Sequence, residues 1–146
     1  MSRNYKNIVA WQRAHEVTLA VYKCTQGFPE VERFGITRQI RRAASSTAAN
    51  IAEGSGRNTT KEYLRFLYIA LGSLKETEYF MLLAHDLGYI PTAYYDRITN
   101  SINGTFGALQ GLLKAVRKQV GPVGRFQAGL LAILLQVTAG NWAQFC

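Results

Sequence analysis

Apolar side chains recur at steps of three and four along four long stretches of the chain, the spacing that places them on one face of a helix. The first stretch runs from Ile8 to Gln26, with Val9, Ala10, Ala14, Val17, Val21 and Cys24 as its apolar face; Gly27 and Pro29 end it. The second begins near Pro29 or Val31 and runs to about Glu53, with Ile36, Ile40, Ala43, Ala44, Thr47 and Ile51 as its stripe and Gly54 and Gly56 as its stop. The third opens on Thr59-Thr60-Lys61-Glu62, a capping-box pattern, and continues to about Leu87 before Gly88 and Pro91. It is apolar nearly all round, so burial on more than one side is expected. The fourth covers Thr92 to Lys118 and turns Tyr95, Ile98, Ile102, Phe106, Leu109, Leu112, Leu113 and Val116 inward.

No segment alternates with period two over a useful length. Short connections between long helices return each helix beside its predecessor. The pattern therefore predicts an all-α fold, an antiparallel up-down four-helix bundle, over residues 1–118. The remainder, 119–146, is different in kind. Arg125 is its single charged residue, and Ala128 to Ala139 is an apolar run too short to span a bilayer. The sequence leaves open whether this extension docks on the bundle, lies at a subunit contact or is weakly selected.

At 146 residues one domain and one buried core are expected. Charge changes the picture more than size does. Lys and Arg number 17 against 9 Asp and Glu, a formal net charge of +8. Such a surface attracts nucleic acid, anionic lipid or an acidic protein. Two cysteines, Cys24 and Cys146, make no disulfide framework, and neither has a neighbour at metal-ligand spacing. The N-terminal stretch lacks the apolar core of a signal peptide, so a cytoplasmic location without membrane contact is expected.

Projection of the second stretch at about 100° per residue puts Ile36, Ile40, Thr47 and Ile51 within about 60° of one another and Arg38, Arg41 and Arg42 opposite them. Three guanidiniums so close repel unless an anion or acidic group neutralises them. Arginine is also suited to bidentate phosphate contact. The alternative is salt bridging to Glu30, Glu32 or acidic residues of a neighbouring helix or subunit. Small residues on the same helix (Ser45, Ala48, Ala49, Ala52) exceed what one core stripe needs and suggest self-association. Arg57 and Lys61 flank the loop before the third helix, whose free amides can bind an anion. That loop lacks the Lys-Ser/Thr pair of a Walker motif, and glycine as a helix stop is the simpler reading. Of the aromatics, Tyr5, Trp11, Tyr22, Tyr94 and Tyr95 could stack bases, but packing explains such residues more often.

Nothing points to catalysis. His15 and His85 sit on different helices, Glu76 and Glu78 face different directions, and the Glu-x-x-His pairs of di-iron bundles do not occur. No cofactor and no metal ligand set is expected.

Two motifs carry a resemblance. Gln39-Ile40-Arg41-Arg42-Ala43-Ala44-Ser45-Ser46 followed by Ala49-Asn50-Ile51-Ala52-Glu53-Gly54-Ser55-Gly56-Arg57, and later Phe66 to Glu76, are similar to the signature of the bacterial four-helix bundle proteins also called 23S rRNA intervening-sequence proteins. Val9 to Ala14 resembles the family's opening, and the match covers about residues 4 to 118. Thr47 stands where the family usually has Ile. The resemblance implies a four-helix bundle assembling into a homopentameric barrel with a basic surface. Some members are encoded within insertions in 23S rRNA genes. Similar proteins, the accessory variability determinants of diversity-generating retroelements, bind a reverse transcriptase and nucleic acid.

Two functional classes follow. The first is a non-catalytic oligomer binding nucleic acid, RNA more readily than DNA, through Arg38, Arg41, Arg42, Arg57 and Lys61. The second is an interaction scaffold whose basic face docks an acidic partner or a reverse transcriptase.

Overall fold

A computed structural model describes residues 3–120, and the expectations for the extension fall almost entirely outside that range. Four helices make up the described chain: α1 (Val9–Cys24), α2 (Ile36–Ser55), α3 (Thr60–Asp86) and α4 (Thr92–Arg117). Among the described residues there is no strand. Each helix packs on its neighbour in the chain, and α4 closes the ring against α1. The result is the expected four-helix bundle.

Its core has two apolar clusters. One gathers Val17, Val21, Ile40, Leu74, Met81 and Ile102, and the other Ala14, Ile51, Tyr63, Leu67, Leu109 and Leu113. Three buried hydroxyls sit among these apolar side chains. Thr47, Thr77 and Thr105 each donate to the carbonyl four residues back in their own helix (Ala43, Ser73 and Ser101), at 3.2, 2.9 and 2.8 Å. A hydroxyl satisfied within its own turn can be buried without an unpaired polar group. Thr47 is thereby accommodated at a core position. Between helices, Thr18 Oγ1 donates to Ala44 O at 2.9 Å, and Ser46 and Ser73 share a hydrogen bond of 2.9 Å.

The helix ends follow local chemistry. Thr59 Oγ1 accepts from the Glu62 amide at 3.2 Å. The Glu62 carboxylate reaches back as expected, but it takes the Thr59 hydroxyl proton, at 3.0 Å. At the other end of α3, Gly88 adopts φ +75, its amide donates to His85 O and that of Tyr89 to Ala84 O, both at 2.9 Å. This is the paired hydrogen bonding of a Schellman cap.

Three expectations need correction. The second helix starts at Ile36, because Glu30–Glu32 forms a separate 3-10 turn and the chain bends at Arg33–Gly35. Glu32 decides this start: its Oε2 accepts the Ile36 amide at 3.1 Å and its Oε1 accepts the Tyr89 hydroxyl at 3.0 Å. Gly54 lies inside α2, and a Cβ there would come 2.7 Å from Phe66 Cβ, so this glycine permits α3 to approach closely. Val9 is exposed and lies off the core face. As expected, α3 is buried on more than one side, against α2 and α4, while Tyr68, Ile69, Tyr79 and Leu82 face solvent.

Candidate nucleic-acid interface

The bend before α2 and the first two turns of that helix build a basic groove. Glu32 holds the bend against the α3–α4 connection through Tyr89, which fixes where α2 begins and where its outer face points. The phenol of Tyr89 is in turn pushed above its ordinary pKa, chiefly by this bond to the Glu32 carboxylate. Ile36 and Ile40 anchor the inner side of the helix, so Arg38, Arg41 and Arg42 project outward together. With Tyr22 from α1 and Arg33, Phe34 and Thr37 from the bend and helix start, they line an open groove of about 420 Å³.

The three arginines differ in what holds them. Arg41 is partly buried: its Nε donates to Thr25 Oγ1 at 2.7 Å, and its guanidinium lies 5.0 Å from the Tyr22 ring centre. Arg42 pairs with Glu76 of α3 at 3.4 Å in an exposed position. This is the acidic neighbour that the salt-bridge alternative required, and an exposed pair of that length contributes little, about 0–1 kcal/mol. Arg38 has no acidic partner within 4 Å among the described residues. Arg33 meets only Glu30, at 3.3 Å, with both side chains largely exposed. Four guanidiniums around one groove, held by two weak surface pairs, leave a net positive site.

Arg57 and Lys61 are elsewhere. They sit beyond the far end of α2, about 25 Å from Arg38 at about 1.5 Å per helical residue. Arg57 is committed to Glu53 and to the face of Phe66, its guanidinium carbon 4.5 Å from the ring centre. Lys61 is exposed and lines a shallow, mostly apolar hollow with Leu64, Arg65, Tyr68 and Ile69. The five residues singled out in the sequence are thus brought together as a trio and a separate pair.

The small-residue face of α2 also resolves into parts. Ala48 is buried in the core, and Ser45 returns its hydroxyl to Arg41 O at 2.8 Å, while Ala49 stays exposed. Of the aromatics weighed as base platforms, Tyr5 packs edge-on against Trp11, Tyr94 donates to Ala20 O at 2.8 Å, and Tyr95 stacks on His85. Only Tyr22 lines the basic groove. Sequence reasoning missed Arg33 and Phe34 by absorbing both into α2. The signal was present: Arg-Phe-Gly between two periodic stretches places an aromatic beside a cation at a bend.

Burial pushes the Cys24 thiol and the Tyr94 and Tyr63 phenols up from their ordinary values, away from the ionised forms that would react. Among the described residues no three His, Cys, Asp or Glu side chains gather as a metal would require. Among the same residues no helix is long and apolar enough to cross a membrane.

Comparison with known proteins agrees with this architecture. The family model for the 23S rRNA-intervening sequence protein matches residues 6–111. A crystal structure of a protein of unknown function from the S23 ribosomal protein family of Bacteroides thetaiotaomicron is 28% identical and superposes with a TM-score of 0.65. The match covers 73% of this chain and 99% of that one. No curated protein matches the chain.

Proposed function

The chain belongs to the 23S rRNA-intervening sequence protein family, and from that premise we propose that it is a non-catalytic, self-associating protein that binds nucleic acid, RNA in preference to DNA, through phosphate contacts. The observation that carries this reading is the groove at the start of α2, where Arg38 has no acidic partner among the described residues and Arg33, Arg41 and Arg42 surround it. Guanidiniums in that arrangement suit the paired oxygens of a phosphate. Lys61 adds a second, weaker point of contact; Arg57, already paired, contributes less.

The outer face of α3 supports self-association. Tyr68, Tyr79 and Leu82 lie within about 60° of one another on α3 and stay exposed in a single chain, with Ile69 exposed to one side of them. The number of subunits proposed is five, the number that the family resemblance implies. Repetition of the groove around such a ring would let one particle hold several phosphates of a folded RNA.

The test is a titration of fluorescently labelled structured RNA at 50 and 200 mM salt. Each phosphate neutralised adds about −0.7 to −0.9 to the slope of log affinity against log salt. Three arginines of one groove therefore weaken binding about 15- to 45-fold over that interval. Absence of binding at 50 mM salt, or a slope that Arg38→Ala and Arg42→Ala together leave unchanged, overturns the reading. A protein partner captured after nuclease treatment, with no RNA affinity, would turn the same groove into a dock for an acidic protein or a reverse transcriptase.

A further inference from the structure

Resting on the phosphate-binding reading above, the geometry of the groove points to a more specific ligand: we infer that it holds one unpaired nucleotide, its base stacked on Phe34 and its phosphate between Arg38 and Arg42.

Three independent features lead there. Phe34 is 77% exposed. It sits on the bend rather than on a helix face packed by a neighbour, and the Arg33 guanidinium lies 5.6 Å from its ring centre. An exposed phenylalanine beside guanidiniums is a stacking platform for a planar ring that is linked to a negatively charged group. Tyr22, 45% exposed and in contact with Arg41, forms the other aromatic part of the lining.

The second feature is Thr37. It is 7% exposed, and its hydroxyl is buried without any hydrogen-bond partner. Thr37 lines the groove and also a smaller cavity of about 180 Å³, and Arg33 and Arg41 line both. The other buried threonines of the bundle return their hydroxyls to their own helix, as Thr47, Thr77 and Thr105 do. An orphan hydroxyl where two cavities meet is placed to take a partner from a ligand or a bound water, because leaving it unpaired is costly.

The third is size. About 420 Å³ lies at the low end of small-molecule sites, which span about 300–1,000 Å³. It has room for one nucleotide. A duplex can lay its phosphates across the arginines, but its bases stay stacked on one another and do not reach Phe34. The lining holds no Asn, Gln, Asp or Glu, the residues that read adenine and cytosine edges.

The ligand chemistry is a nucleoside 5′-phosphate unit, which can arrive free or as an unstacked residue of RNA. Three probes separate the sources and the claims: a labelled single-stranded hexanucleotide, a blunt RNA duplex of equal phosphate number, and adenosine 5′-monophosphate set against inorganic phosphate in equilibrium dialysis. Phe34→Leu and Arg38→Ala are the variants, both at exposed positions, with thermal melting to show that the fold is kept. The expected result is that Phe34→Leu weakens the hexanucleotide by about 10-fold and leaves duplex affinity and the salt slope unchanged. Arg38→Ala weakens both and reduces the slope. Equal loss for hexanucleotide and duplex on Phe34→Leu, or no loss for either, overturns the nucleotide pocket while the phosphate-binding reading stands. Binding of the monophosphate in preference to inorganic phosphate, with no affinity for either RNA, removes the RNA reading and leaves the pocket with a free nucleotide. No binding of any probe removes both.

Discussion

Two glycine-to-alanine substitutions in helices should change stability in opposite directions. At Gly72 on α3 a new Cβ would meet nothing within 4 Å. Alanine there gains helix propensity alone, about 0.5–1 kcal/mol. At Gly54 the same Cβ would stand 2.7 Å from Phe66 Cβ and 3.0 Å from Tyr63 Cδ2. Carbon contacts settle at about 3.5–4.0 Å, so α2 and α3 must part by about 1 Å. Phe66 Cβ is fixed to the α3 backbone and cannot swing away, and Tyr63 is fully buried. Overpacking of that kind costs about 1–3 kcal/mol. The propensity gain is small so close to the helix end, and Gly54→Ala should lose about 1–2 kcal/mol net. Urea unfolding followed by circular dichroism at 222 nm gives both numbers, with the slope checked to show that the denatured state is unchanged. If Gly54→Ala were as stabilised as Gly72→Ala, the close helix approach at this point would be wrong.

The remaining predictions concern the caps and the buried acids. Thr59→Ala removes the hydroxyl that accepts the Glu62 amide and should cost about 1 kcal/mol in the same unfolding assay. Glu32→Ala frees the Ile36 amide and the Tyr89 hydroxyl together, so a loss of about 1–2 kcal/mol is expected. The raised Tyr89 phenol should return toward its ordinary 10.0, read by ultraviolet difference titration. Alkaline pH should destabilise the fold. From about pH 9 the unfolded chain loses the Cys24 proton, ordinarily at 9.0, and then those of Tyr63 and Tyr94, ordinarily at 10.0, while the folded chain retains them. Stability present below pH 9 is therefore lost above it, and a urea midpoint that rose between pH 8 and 10 would contradict this.

How much was legible in the sequence follows from how far each interaction reaches. Helix-scale features depend on residues three or four apart, and the chain states them directly. The apolar repeat, Gly88 after α3 and the Thr59–Glu62 cap are all of this kind, and all are present in the structure. Boundaries failed where a long-range contact intervened. Nothing near Glu32 in the chain reveals that Tyr89, fifty-seven residues on, holds its carboxylate in the position that starts α2.

The same distinction governs the candidate site. Helical periodicity alone placed Arg38, Arg41 and Arg42 on one outward face, since they lie within a turn and a half of one helix. The same helical rise sets Arg57 and Lys61, assigned to the loop after that helix, at its far end. Periodicity could not assign Glu76 to Arg42, Thr25 to Arg41 or no acidic partner to Arg38. Those pairings depend on which helices become neighbours and at what height. The sequence by itself determined an all-α bundle with a basic outer face, through local hydrophobic spacing and charge count. Only the tertiary structure decided where that charge is neutralised, where it is left over, and that Phe34 and the unsatisfied Thr37 hydroxyl stand beside it, because burial and pairing arise from contacts between distant segments.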